Sequence, residues 1–182
     1  LQSRYRLWTA ELCGHGEAPP LPHSLLGDLF RFKKPSLIAE MVRDLADLMT
    51  ENQIVDALLV GHSLGGTIAI LLAAAYPDKV KGLVLVDTPV YQKSNMLQKG
   101  LALRTISRQF KRTLQGIYSV MCENPEVGKR VVETCLQTDK HSFINLMQEV
   151  IGMNYSGVLE KVQVPILLAL GSRMAKSKEA LP

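Results

Sequence analysis

Apolar residues come in two rhythms along this chain, and the change between them divides it. Ile54 to Val60 and Val80 to Val86 are nearly continuous apolar runs, long enough for strands and too poor in polar alternation for a half-solvated sheet. Between them, Gly65 to Tyr76 is apolar and alanine-rich, which predicts a helix ended by Pro77. Strand, helix and strand in that order predict a βαβ unit, in a mainly parallel sheet covered on both faces. Upstream, Leu37, Ile38, Met41, Val42, Leu45, Leu48 and Met49 recur at helical spacing between Ser36 and Thr50, with Ser36 as the expected N-cap. Tyr5 to Ala10 reads as a short strand running into the turn-rich loop Glu11 to Pro20.

Beyond Gln92 helical spacing takes over. Breaks near Gly116, Glu123-Asn124-Pro125 and Gln137-Thr138-Asp139 predict helices over about 94–112, 113–122, 125–136 and 140–152. Val164 to Gly171 returns to the strand pattern, with proline tolerated at its start. The expected organisation is a core part over 1–87, a helical insertion over 88–160 and a returning strand with its tail over 161–182.

Composition changes this picture little. The chain has 182 residues, 47% hydrophobic and 21% charged, as in an ordinary globular domain. No apolar run reaches the roughly 20 residues that span a bilayer, so no membrane span is expected. Cys13, Cys122 and Cys135 are odd in number and widely spaced, which points to reduced thiols, a cytoplasmic location and no zinc site. Residues 1–87 carry 8 basic and 10 acidic groups, and residues 88–182 carry 13 and 7. That excess is too diffuse to imply a nucleic-acid partner.

The chemistry concentrates in Gly61-His62-Ser63-Leu64-Gly65-Gly66, between the first apolar strand and its helix. A serine on a sharp strand-to-helix turn is held with its hydroxyl clear of the sheet. Gly61 and Gly65 at i−2 and i+2 are the residues such a turn accommodates. The helix N-terminus beneath Ser63 favours developing negative charge, and the Leu64 N–H is placed to donate to an oxyanion. A turn that merely joins strand to helix is the plainer alternative.

With these residues in view, the chain resembles an internal stretch of an α/β-hydrolase-fold protein. GHSLGG is similar to that family's nucleophile elbow, "VKGLVLVDTP" to the strand after the elbow helix, and "YRLWTAELCGHGEAPP" to its D-x-x-G-H-G-x-S segment, from which Glu11, Cys13 and Ala18 depart. "VLEKVQVPILLALGS" is similar to the strand whose following loop often carries the catalytic acid. The resemblance implies a helical cap over 88–160 and hydrolysis of a small ester or related carbonyl substrate through an acyl-enzyme on Ser63. No metal or organic cofactor is implied. Serine at the elbow argues against the epoxide hydrolases and haloalkane dehalogenases of the family, which carry aspartate there.

The same resemblance implies a base that none of the four histidines supplies. His62 adjoins Ser63, His15 shapes the GHG turn, and His23 and His141 fall in a loop and in the cap. The family's histidine follows a further strand, which would lie beyond Pro182, and another strand would precede Leu1. The expectation is therefore a piece of a longer chain, a truncated or spliced product being the alternative. For the acid, Gly171-Ser172-Arg173-Met174 offers no carboxylate before Glu179, whereas Asp87 ends the strand after the elbow helix. Asp87 is the candidate acid, or else it caps the next segment through an Asx turn.

Two smaller features stay open. Arg104, Arg108 and Arg112 would make one stripe on a helix, with Lys111 beside them and Leu101, Leu103, Ile106 and Phe110 packed inward. That stripe could meet an anionic substrate group or simply be a solvated face. The methionines could line an acyl pocket or fill core, and Cys13 reads as a free thiol. A different class of function also fits, a binding protein or inactive remnant that kept the elbow without acid and base. Such a protein would leave Ser63 unreactive.

Overall fold

A computed structural model describes residues 4–19, 36–119, 122 and 124–171. The readings that fall on His23, on the 172–174 stretch and on Glu179 lie outside the described residues.

The chain runs α1 (Leu37–Glu51), β1 (Ala57–His62), α2 (Leu64–Ala75), a 3₁₀ turn (Pro77–Lys79) and β2 (Val80–Val86). It continues through α3 (Met96–Arg108), α4 (Phe110–Ser119), α5 (Pro125–Cys135), α6 (Lys140–Val150), α7 (Ser156–Leu159) and β3 (Ile166–Ala169). The three strands form a parallel sheet in the order β1-β2-β3, with Val60 opposite Val84 and Val84 opposite Leu167. An α/β fold with a parallel sheet and flanking helices is therefore what the chain adopts.

One core holds the sheet to its helices. Leu37, Ile38, Met41, Val42, Ala46 and Met49 form the buried stripe of α1. They pack with Ile68, Ala69, Ile70, Leu72 and Ala73 of α2 and with Leu83 and Leu85 of β2. A smaller cluster, Ile106, Leu114 and Phe143, joins α3, α4 and α6, and Phe110 meets Phe143 edge-on with ring centroids 5.7 Å apart. Leu146 of α6 belongs to the main core, so α6 links the two clusters.

Ser36 caps α1 as expected, its Oγ accepting from the Ala39 N–H at 3.1 Å. A second cap comes from far away. The Glu149 carboxylate of α6 accepts from the Ser36 hydroxyl at 2.6 Å and from the Leu37 and Ile38 N–H groups at 2.6 and 3.3 Å. A carboxylate at a helix N-terminus satisfies otherwise orphaned donors and meets the positive end of the dipole. Glu149→Ala is expected to destabilise the fold by about 1–2 kcal/mol, and Glu149→Gln by less, as read from the midpoint of denaturant unfolding.

Several expectations are corrected. Residues 5–10 form no ladder with any strand among the described residues. Tyr5, Leu7 and Trp8 are exposed, and the Arg6 guanidinium lies over the Trp8 ring at 4.7 Å. A strand needs a neighbour about 4.8 Å away, and none of the described strands supplies one to this run. The first strand begins at Ala57 rather than Ile54, because Gln53 and Asp56 hold positive φ angles of 54° and 50° in the turn before it.

The sheet is also covered on one face only among the described residues. Leu58 and Val60, pointing away from α1 and α2, are 61% and 70% exposed, and Leu167 beside them is exposed too. Within the helical region the break falls at Gln109 (φ −125°, ψ 41°) and not at Gly116, which lies inside α4. The bend at Gln109 brings Phe110 onto Phe143. Arg112 therefore sits on a different helix from Arg104 and Arg108, and the three do not form one stripe. Leu101, expected to pack inward, is exposed.

Candidate active site

Ser63 closes β1 and caps α2 with φ 51° and ψ −117°, a conformation L-residues adopt only when their surroundings impose it. Its own N–H donates to the Val86 carbonyl at 2.9 Å, and its carbonyl accepts from Gly66 and Thr67 at 3.0 and 3.2 Å. The turn is thus held by β2 on one side and the first turn of α2 on the other. The side chain caps nothing, so the hydroxyl is not consumed by the helix.

Close packing at the turn falls on two glycines. A Cβ at Gly61 would collide with the Gly65 carbonyl and the Gly66 nitrogen, and one at Gly66 would collide with the Thr88 side chain. At Gly65 an added Cβ meets nothing within 4 Å among the described residues, so the steric reason expected for it belongs to Gly66 instead. Thr88 was not foreseen. Its hydroxyl donates to the Val86 carbonyl at 3.2 Å, and the Thr67 hydroxyl donates to Pro89 at 3.2 Å, which seats the segment after β2 on the start of α2.

Leu64 is the first residue of α2, and its N–H is one of the four that a helix leaves without an internal acceptor. It adjoins the Ser63 hydroxyl at the positive end of the helix dipole.

Asp87 follows β2 with φ 42°. Its N–H donates to Ala169 at 2.9 Å, and its Oδ1 accepts from the Gly171 N–H at 2.6 Å. That contact stands in place of the alternative Asx cap, for the carboxylate reaches across to the end of β3, 84 residues on. Since Val86 carries the carbonyl that holds Ser63, the carboxylate stands one residue from the elbow's anchor, at the carboxyl end of the sheet. Gly171 was not singled out by sequence. A Cβ there would lie 2.8 Å from Asp87 Oδ2, so the close approach needs glycine.

The histidines do not assemble with Ser63. His15 Nδ1–H donates to the Cys13 carbonyl at 3.1 Å within the GHG loop. In the same loop the Cys13 thiol donates to Pro19 at 3.2 Å, and the Glu11 carboxylate accepts from the Glu17 N–H at 2.7 Å. His62 is exposed and, by strand alternation with Leu58 and Val60, belongs to the uncovered face of the sheet. His141 lies in the first turn of α6, exposed. Among the described residues no imidazole hydrogen-bonds to Ser63.

The perturbed acidities lie elsewhere. Burial raises the Tyr118 hydroxyl, with neighbouring Cys135 adding to it, and burial also raises the Cys135 thiol. Burial, then the Glu149 charge, raises Tyr155. No group of three or more His, Cys, Asp or Glu side chains fit to hold a metal occurs among the described residues. No helix among them is long and apolar enough to cross a membrane.

Comparison with known proteins bears on the family and the fold. A model of the alpha/beta hydrolase fold family matches residues 1–127. A homoserine O-acetyltransferase of Thermus thermophilus is 29% identical over 122 residues, 54% of this chain and 32% of that protein. A pimeloyl-acyl-carrier-protein methyl ester esterase of Chromobacterium violaceum is 39% identical over 88 residues, 48% of this chain and 28% of that protein. Among solved structures, an esterase from Exiguobacterium antarcticum superposes with a TM-score of 0.72 at 16% identity, covering 87% of this chain and 60% of the other. The matched part is thus about a third of the length of these curated relatives.

Proposed function

The chain belongs to the α/β-hydrolase-fold family, and from that premise we propose that it carries the nucleophile part of a serine hydrolase acting on small ester or related carbonyl substrates. The observation that carries the reading is the strained Ser63 turn, fixed by Val86 and α2 with its hydroxyl unused by the helix. Strain of this kind persists where the surrounding structure over-determines it, and it gathers at reactive sites.

In this reading Ser63 Oγ gives its proton to a histidine and attacks the carbonyl carbon. The Leu64 N–H donates to the oxyanion that forms. Collapse expels the alcohol, which takes the proton back from the histidine, and leaves an acyl group on Ser63. Water, deprotonated by the same histidine, then releases the carboxylic acid and restores the serine. Among the described residues His15 is engaged in its loop and His62 and His141 stand elsewhere, so the base is assigned to none of these three. Asp87 is the acid that orients it, at the carboxyl end of β2. Helices α3 to α7 form the cap over that end.

Names among the relatives include both an esterase and an acyltransferase, and one acyl-enzyme serves both outcomes. Water as acceptor gives hydrolysis; an alcohol or amine gives transfer. A fluorophosphonate probe offered to the folded protein is expected to form one adduct, mapped to Ser63 by peptide mass spectrometry. Well-folded protein that stays unlabelled would favour a binding role and overturn the proposal.

A further inference from the structure

Between Asp87 and Glu123 the chain is one-signed. From Thr88 to Cys122 it contains no aspartate or glutamate, and it carries Lys93, Lys99, Arg104, Arg108, Lys111 and Arg112. Among the described residues none of these cations forms an ion pair. All but Lys93 and Lys99 follow Leu101 in α3 and α4, and all but Lys99 are exposed.

The leading turn of α3 has a different character. Met96, Leu97 and Leu101 are 85%, 82% and 65% exposed, held in place by the capping box of Asn95 and Gln98. Leu97, Leu101, Arg104 and Arg108 stand at i, i+4, i+7 and i+11, so they share one stripe, apolar at its start and basic at its end. Ile106 and half-buried Leu103 take the opposite side of the helix. A single exposed leucine carries no message, but three large apolar side chains in the first two turns of α3, running into Arg104 and Arg108, do.

From this we infer that the exposed stripe of α3 docks on an anionic lipid surface. Met96, Leu97 and Leu101 would enter the boundary between headgroups and acyl chains, while Arg104 and Arg108 meet lipid phosphates and carboxylates. One observation favours lipid over an acidic protein: the α3 stripe from Leu97 to Arg108 carries no acidic residue and so lacks the mixture of signs usual at the rim of a protein interface. The inference does not rest on the chemistry of Ser63.

Flotation of the full chain with vesicles tests it. Binding is expected to vesicles of phosphatidylcholine doped with phosphatidylglycerol and to be weak with phosphatidylcholine alone. Raising the salt from about 0.1 M to about 1 M shortens the screening length from about 10 Å to about 3 Å and should release most of the bound protein. Arg104→Glu with Arg108→Glu should weaken binding at least about tenfold, and Leu97→Gln with Leu101→Gln should do likewise. All four positions are exposed, so thermal unfolding should be nearly unchanged. The uncovered sheet face is the rival surface. Loss of vesicle binding in Leu58→Gln with Val60→Gln, but not in the helix variants, would overturn the assignment. So would equal binding to neutral vesicles, or retention by immobilised polyglutamate without any retention by anionic vesicles.

Discussion

Ser63→Ala is expected to lower kcat for ester hydrolysis by roughly 10⁴- to 10⁶-fold while leaving the fold as stable as before, within about 0.5 kcal/mol. The hydroxyl makes no cap bond, so its removal leaves no backbone donor unsatisfied. Ser63→Gly should be equally inactive but more stable than Ser63→Ala. At φ 51° and ψ −117° the side chain keeps the backbone under strain of order 1–3 kcal/mol, which glycine escapes. Glycine also loses about 0.5–1 kcal/mol through its freer unfolded chain, so the net gain is about 1 kcal/mol. Alanine retains the Cβ and the strain, and the pair therefore separates chemistry from conformation. Denaturant midpoints and steady-state turnover with a chromogenic ester read the two quantities. Wild-type turnover in Ser63→Ala would remove Ser63 from the mechanism. A glycine variant less stable than the alanine one would mean that the turn is not strained in the way its dihedrals indicate.

Why the elbow could be read from sequence, and much around it could not, follows from the range of the forces involved. A strand, a serine turn and a helix within Ala57 to Ala75 are determined by neighbours in the chain, and β1, α2 and β2 stand within three residues of where the apolar runs place them. Gly61 was legible for the same reason, since its obstruction is Gly65 and Gly66. Gly66 reads from sequence only as a small residue that lets its helix lie close to the sheet, and the group that closes on it, Thr88, 22 residues along, does not show there. The helix break shows the same division. Gly116 is a local breaker by propensity, yet the chain bends at Gln109, where turning Phe110 toward Phe143 gains an aromatic contact. Tyr5 to Ala10 has strand propensity, which means nothing without a ladder partner. Glu149, 113 residues from Ser36, caps α1 without leaving a trace in either local pattern.

Asp87 offers the second large effect, because its two possible roles differ in how they respond to losing a charge. Asp87→Asn keeps a carbonyl oxygen that can accept from the Gly171 N–H, so the tie between the ends of β2 and β3 survives. If Asp87 orients the base, turnover should fall by about 10³- to 10⁴-fold, since an amide cannot hold the imidazole in its productive tautomer or stabilise the imidazolium that forms. If the carboxylate only ties the strand ends, turnover should change by no more than a few fold. Asp87→Ala breaks the tie in either case and is expected to destabilise by about 1–2 kcal/mol, leaving the Gly171 N–H without its partner. Gly171→Ala approaches from the other side. Its Cβ would press on Oδ2 and displace the carboxylate without removing its charge. An orienting acid is sensitive to such a displacement, so kcat should fall in Gly171→Ala as well, and more than stability does. Full activity in Asp87→Asn would strike Asp87 from the triad and leave it as the clamp that sets the ends of β2 and β3 beside the serine.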